Sequence, residues 1–152
     1  MKAKWIEIAV AMSIFTTLAG VPSAAQARAR SCTAENTAGD YGYTNSGSIP
    51  ALGAFAFVSV GRVTIDASGQ VTGSQSTSLN GVIVHETISG TASVNPDCTG
   101  TGFLEVRQGG TVVRTAQVDS VVVDDQNEIH AIFLSGGTAI TSIAKRISRA
   151  GE

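Results

Sequence analysis

From residue 40 onward the chain alternates extended runs with tight-turn signals, and this rhythm limits the fold more than any other feature. Strands are predicted near 41–48, 54–66, 70–79, 82–94, 99–108, 111–123, 128–134 and 138–147. Between them stand Asp66-Ala67-Ser68-Gly69, Asn80-Gly81, Asn95-Pro96-Asp97, Gly109-Gly110, Asp124-Asp125-Gln126-Asn127 and Gly136-Gly137. Asn-Gly between alternating runs is the strongest short hairpin signal. Asp first and Gly fourth suits a type I turn followed by a bulge, and Asp124 to Asn127 reads the same way with Asn127 in the left-handed position. No stretch after residue 30 carries a clear helical period, although a short helix would also fit 138–147. Eight strands joined by tight turns form a meander. Closing it removes the exposed edges of an open sheet. A sandwich, the second choice, would want longer crossovers. The expected fold is therefore all-β: a single eight-stranded antiparallel up-and-down barrel, with room inside for side chains or one small ligand.

The first residues read as an address. Lys2 and Lys4 precede an apolar run from Ile8 to Leu18, and Ala25-Gln26-Ala27 offers a small-residue cleavage site. The run is shorter than the about 20 apolar residues that a membrane span needs. The expected organisation is a signal peptide over 1–27, an N-terminal arm over 28–40, a barrel domain over 41–148 and a tail over 149–152. Removing 27 residues from 152 leaves 125, with 8 Lys and Arg against 11 Asp and Glu and no Trp. So slight a negative balance argues against nucleic acid or an anionic membrane surface as partner. Cys32 and Cys98, an even pair in an exported chain, read as one disulfide. Such a bridge stabilises by roughly 4 kcal/mol on the chain-entropy account. No metal is expected, because His85 and His130 lack Cys or His partners at ligand spacing. The expected location is secreted or periplasmic.

Turn geometry then assigns faces. Asn80-Gly81 pairs Leu79 with Val82 and Gln75 with Glu86, and a three-residue loop at 67–69 sets Gly61 opposite Gln75. The inward face collects Phe55, Phe57, Val63, Ile65, Val71, Leu79, Val82, Val84 and Ile88, with Gln75 and Glu86 side by side among them. The opposite face, rich in Ser and Thr, suits a solvated wall. A four-residue loop at 95–98 would bring Arg107 beside Glu86, and Gly109-Gly110 would set Glu105 opposite Arg114. His130 is expected on the face of Val122 and Ile132. A carboxylate among aliphatic residues is costly unless paired. Glu86 is therefore either a structural ion pair with Arg107 or Arg114, or a polar ligand contact or proton-transfer group with a pKa raised by desolvation. No Gly-x-Ser-x-Gly elbow and no phosphate-binding glycine loop is present.

The turn and glycine pattern carries a resemblance. Tyr41-Gly42-Tyr43 with Gly47, Gly61-Arg62, Thr64-Ile65-Asp66-x-x-Gly69, Asn80-Gly81 and Gly90-Thr91 through Cys98-Thr99-Gly100-Thr101 are similar to small secreted bacterial proteins of unknown function. These resemble allene oxide cyclase-like or calycin barrels, with a tautomerising pyocyanin demethylase as a distant relative. The resemblance implies an eight-stranded barrel, a mostly apolar cavity, no organic cofactor and often a trimer. The leading expectation is an exported barrel that binds a small apolar molecule. Phe55, Phe57 and Phe103 would supply walls, and Gln75, Glu86 and Arg107 would orient polar ends. The alternatives are a cofactor-free cyclase, isomerase or demethylase using Glu86 or His130, and a structural or interaction barrel with a filled interior. Apolar residues on both faces of 54–60 and 121–123 suggest a subunit interface.

Overall fold

A computed structural model describes residues 31–151, so the leader expected over 1–27 lies outside the described residues. Eight antiparallel strands run in sequence order: β1 (Gly39–Ile49), β2 (Ala54–Ile65), β3 (Gln70–Leu79), β4 (Val82–Val94), β5 (Thr99–Gln108), β6 (Thr111–Val123), β7 (Glu128–Phe133) and β8 (Ala139–Arg149). Each pairs with the next and β1 also pairs with β8, closing the barrel. Residues 139–149 are a strand, not a helix, paired with β1 on one side and β7 on the other.

The short turns do what their residues dictate. Asn80 and Gly81 both take positive φ, as a two-residue hairpin requires, and Leu79 pairs with Val82. Gly69 sits at φ +82° and donates to the Asp66 carbonyl at 3.0 Å, so Gly61 falls opposite Gln75. The β6–β7 turn differs from expectation. There Asp124, Asp125 and Gln126 carry the positive φ, while Asn127 is at −97°.

Along each strand, alternate residues point into the barrel. One interior cluster joins Tyr41, Tyr43, Ile88 and Ala144; a second joins Ile49, Ala54, Phe57 and Ile140 toward the opposite end. The first end is covered by the N-terminal arm, where Thr33 caps a single helical turn over Ala34–Thr37. Tyr41 donates to the Thr37 carbonyl at 2.7 Å, and Arg146 donates to both the Tyr41 hydroxyl and the Asn36 carbonyl. A Cys32–Cys98 disulfide ties this arm to the β4–β5 turn.

The outer wall divides. Over β3 and β4 it carries Thr72, Ser74, Ser76, Thr87, Ser89 and Thr91, whereas β2 exposes Phe55, Val58 and Val60. Phe55, expected inside, is 76% exposed. The β1–β2 register shifts between Gly47 and Ile49, so that Ala54 and Phe57 both point inward, three positions apart. Asn80 stabilises the irregularity by accepting from Ala56 N–H, donating its backbone N–H to the Ala56 carbonyl, and donating its side-chain amide to the Gly53 carbonyl. Val82, also expected inside, is exposed at the hairpin tip.

The disulfide spans 66 positions and is the covalent tie between arm and barrel. A double Cys32→Ser, Cys98→Ser variant is expected to lose about 4 kcal/mol in urea unfolding, near the upper part of the range for native bridges. A loss under about 1 kcal/mol would mean that non-covalent contacts alone hold the arm.

Candidate functional site

One wall of the interior is polar where the rest is aliphatic. It is built by alternation on consecutive strands: Tyr43 and Asn45 on β1, Ser59 on β2, Gln75 and Thr77 on β3, and Glu86 on β4. The pairings Tyr43–Gly61–Gln75–Glu86 and Asn45–Ser59–Thr77 place these groups in two adjacent cross-strand rows. Gly61 makes the first row possible. A Cβ there would come within 2.4 Å of the Ser74 carbonyl oxygen and 2.6 Å of the Tyr43 hydroxyl.

The hydrogen bonds run in one direction along that row. The Tyr43 hydroxyl donates to Gln75 Oε1 at 2.8 Å, and Gln75 Nε2 donates to Glu86 Oε2 at 2.7 Å. Thr77 Oγ1 adds a third donor contact at 2.7 Å. Arg114 on β6 completes the set with two N–H groups, one to each Glu86 oxygen, both at 2.6 Å. Its guanidinium also lies 5.7 Å from the centre of the Phe57 ring. Glu86 is only 4% exposed, yet its polar neighbours all favour its charge. Desolvation, the largest single influence, pushes its pKa up. Hydrogen bonds from Arg114, Thr77 and Gln75, with the charge of Arg114, outweigh it and hold the pKa below the ordinary 4.5. Of the two readings of Glu86, the ion pair with Arg114 is formed, and the pKa moves down rather than up. Tyr43, by contrast, has its pKa driven well up by burial and by the negative charge of Glu86.

Beside this wall lies a cavity of about 310 Å³. On β5 to β7 it is lined by the small residues Gly102, Ala116, Ser120 and Ala131 set among larger ones such as Val118 and Ile129. Ile88, Leu104, Val106 and Phe133 belong to its apolar lining, and Tyr43, Asn45, Gln75 and Arg114 to its polar lining. Ala51 and Leu52 from the β1–β2 loop and Ser135, Gly136 and Thr138 from the β7–β8 loop line it at the end opposite the arm. A depression outside the barrel, beside His85 and Arg107, is larger at about 680 Å³ but lies open to solvent.

Of the expected site residues, Phe57, Gln75 and Glu86 converge on the interior. Phe103 does not; it is 44% exposed on the outer wall. Arg107 also points outward, bonded to Glu105 at 2.6 Å and to the Gly110 carbonyl. The cause is one residue in the β4–β5 turn: Val94 pairs with Gly100, so Arg107 meets Thr87 instead of Glu86. A bulge then re-phases β6. Arg107 pairs with Val112, but Val106 pairs with Arg114, leaving Val113 as the extra residue and turning Arg114 inward. His130 pairs with Val121, shares the outer face with Ile132 and bonds Glu128 there, away from Val122 and from the cavity. Tyr43, Asn45, Ser59 and Thr77 were missed as site residues. Their signal was the period-two spacing of polar residues within runs whose alternate positions are otherwise apolar.

Asn45 stands apart in this set. Its Nδ2 donates to Ser59 Oγ at 2.9 Å, while its buried Oδ1 finds no donor among the described residues. A buried acceptor left so costs about 1–3 kcal/mol. Among the described residues no group of three or more His, Cys, Asp or Glu is placed to hold a metal ion. No family model, curated protein or solved structure matches the chain.

The ion pair sets an acid response. Because the folded pKa of Glu86 lies below its ordinary 4.5, its contribution to stability is complete above that value and is lost as pH falls through the folded pKa. Glu86→Gln is therefore expected to flatten the loss of stability below pH 4.5, measured by urea unfolding at stepped pH. At neutral pH Arg114→Met should destabilise by about 3–5 kcal/mol, because it strands a buried carboxylate.

Proposed function

We propose that the protein is an exported barrel that holds one small, largely apolar molecule in its interior. The observation that carries this reading is the cavity of about 310 Å³, at the lower end of the volumes of small-molecule sites, with aliphatic walls and a few convergent polar groups. Export is supported by the Cys32–Cys98 disulfide and by the leader-like sequence of 1–27. Among the described residues no helix is long and apolar enough to cross a membrane. The closed eight-stranded architecture agrees with the resemblance to allene oxide cyclase-like and calycin barrels, which supports an interior site without specifying its ligand.

Binding is favoured over catalysis by the state of the candidate acid–base groups. Glu86 is fully engaged by Arg114, Thr77 and Gln75, and His130 lies on the outer wall. A general base must reach the proton it abstracts and carry a pKa near the working pH. Neither residue meets both conditions.

The expected result of native mass spectrometry on exported protein is a co-purifying small molecule at one per chain. Ala116→Leu fills the cavity from β6 and is expected to remove that molecule while keeping or raising the melting temperature. Retention of the molecule by the filled variant would place it elsewhere and defeat the reading.

A further inference from the structure

The polar wall also specifies the kind of head group that the cavity accepts, an inference that rests on the binding reading above. Four residues of that wall line the space: Arg114, Tyr43, Gln75 and Asn45. Arg114 carries a positive charge, but both of its bonds to Glu86 are short and two-pronged, so the wall presents no net charge to an occupant. Tyr43 and Gln75 use their donors within the row. Asn45 keeps an unmet demand. It is 7% exposed, it lines the cavity, and its Oδ1 has no donor among the described residues. An acceptor in that state is satisfied by an O–H or N–H group, and not by an ether, a ketone or a carboxylate.

We propose that the ligand is an uncharged apolar molecule with a hydroxyl or N–H group, donated to Asn45 Oδ1, with its hydrocarbon body against Ile88, Leu104, Val106 and Phe133. The register holds Asn45 in place for this. It pairs with Ser59 across β1 and β2, and its Nδ2 donates to Ser59 Oγ, which leaves the oxygen as the free end. A carboxylate would bring an unpaired negative charge into an apolar space where Arg114 is already matched by Glu86, at a large desolvation cost.

The test compares four probes of similar length on the unmodified protein: 1-decanol, nonyl methyl ether, 2-decanone and decanoate, with dissociation constants from calorimetry at pH 7.4. Decanol is expected to bind about tenfold more tightly than the ether, as befits one buried hydrogen bond to an otherwise unsatisfied partner. In Asn45→Leu the alcohol and the ether should converge to within about threefold, with the ether itself little changed. Equal binding of alcohol and ether by the unmodified protein overturns the assignment. A preference for 2-decanone overturns it too, since the amide would then turn its N–H groups inward, and so does a preference for decanoate. Those three outcomes leave the cavity as a binding site; failure of all four probes to bind removes the binding reading together with this one. The ranking on the unmodified protein decides the matter even if Asn45→Leu does not fold.

Discussion

Everything inside this protein depends on the hydrogen-bonded closure of β1 against β8. Eight strands in a meander have two edges, each with unpaired N–H and C=O groups. Pairing them satisfies both edges at once and converts one face of the sheet into an enclosed interior. Closure also sets what that interior can contain. Tyr41, Tyr43 and Phe57 pack on the side built by β1 and β2, and on β5 to β7 the cavity lies against Gly102, Ala116 and Ala131 set among the larger Leu104, Val106, Ile129 and Phe133. The arm seals one end through Tyr41, Arg146 and the disulfide, so the described approach to the cavity is by way of the loops after β1 and β7.

Within that enclosure a charge is present but not available. Burying Glu86 would by itself favour the neutral acid, and a neutral acid in a cavity is a plausible proton donor. The same burial strengthens each hydrogen bond that the carboxylate accepts. With Arg114 gripping both oxygens and Thr77 and Gln75 adding theirs, the balance falls on the side of the anion. The result is a rigid, electrically neutral wall. Such pairs contribute little net stability against an apolar replacement, but they hold neighbouring side chains in one arrangement. Here the held group is Tyr43, whose hydroxyl is committed to Gln75 and whose ring packs with Ile88 and Ala144.

The strands and most turns were legible in the sequence, and so was the Gln75–Glu86 pairing, because a two-residue Asn-Gly turn and a glycine-terminated loop leave no choice of register over β2 to β4. Beyond β4 the local turn signals no longer fix the register. One extra residue in the turn holding Cys98 moved Arg107 out of line with Glu86, and the bulge at Val113 brought Arg114 in. At the start of β2 a third irregularity turned Phe55 to the outside. Each is a single-residue displacement, and in a strand one residue is the whole difference between interior and solvent.

The sequence by itself determined that the chain is a run of antiparallel strands, where they turn, and which two cysteines pair. Those features depend on neighbours along the chain or on there being only one possible partner. Which charges face the cavity, and that Arg114 rather than Arg107 meets Glu86, was decided by the tertiary structure alone. Bulges and loop offsets follow from how eight strands close into one barrel, and no local segment contains that condition.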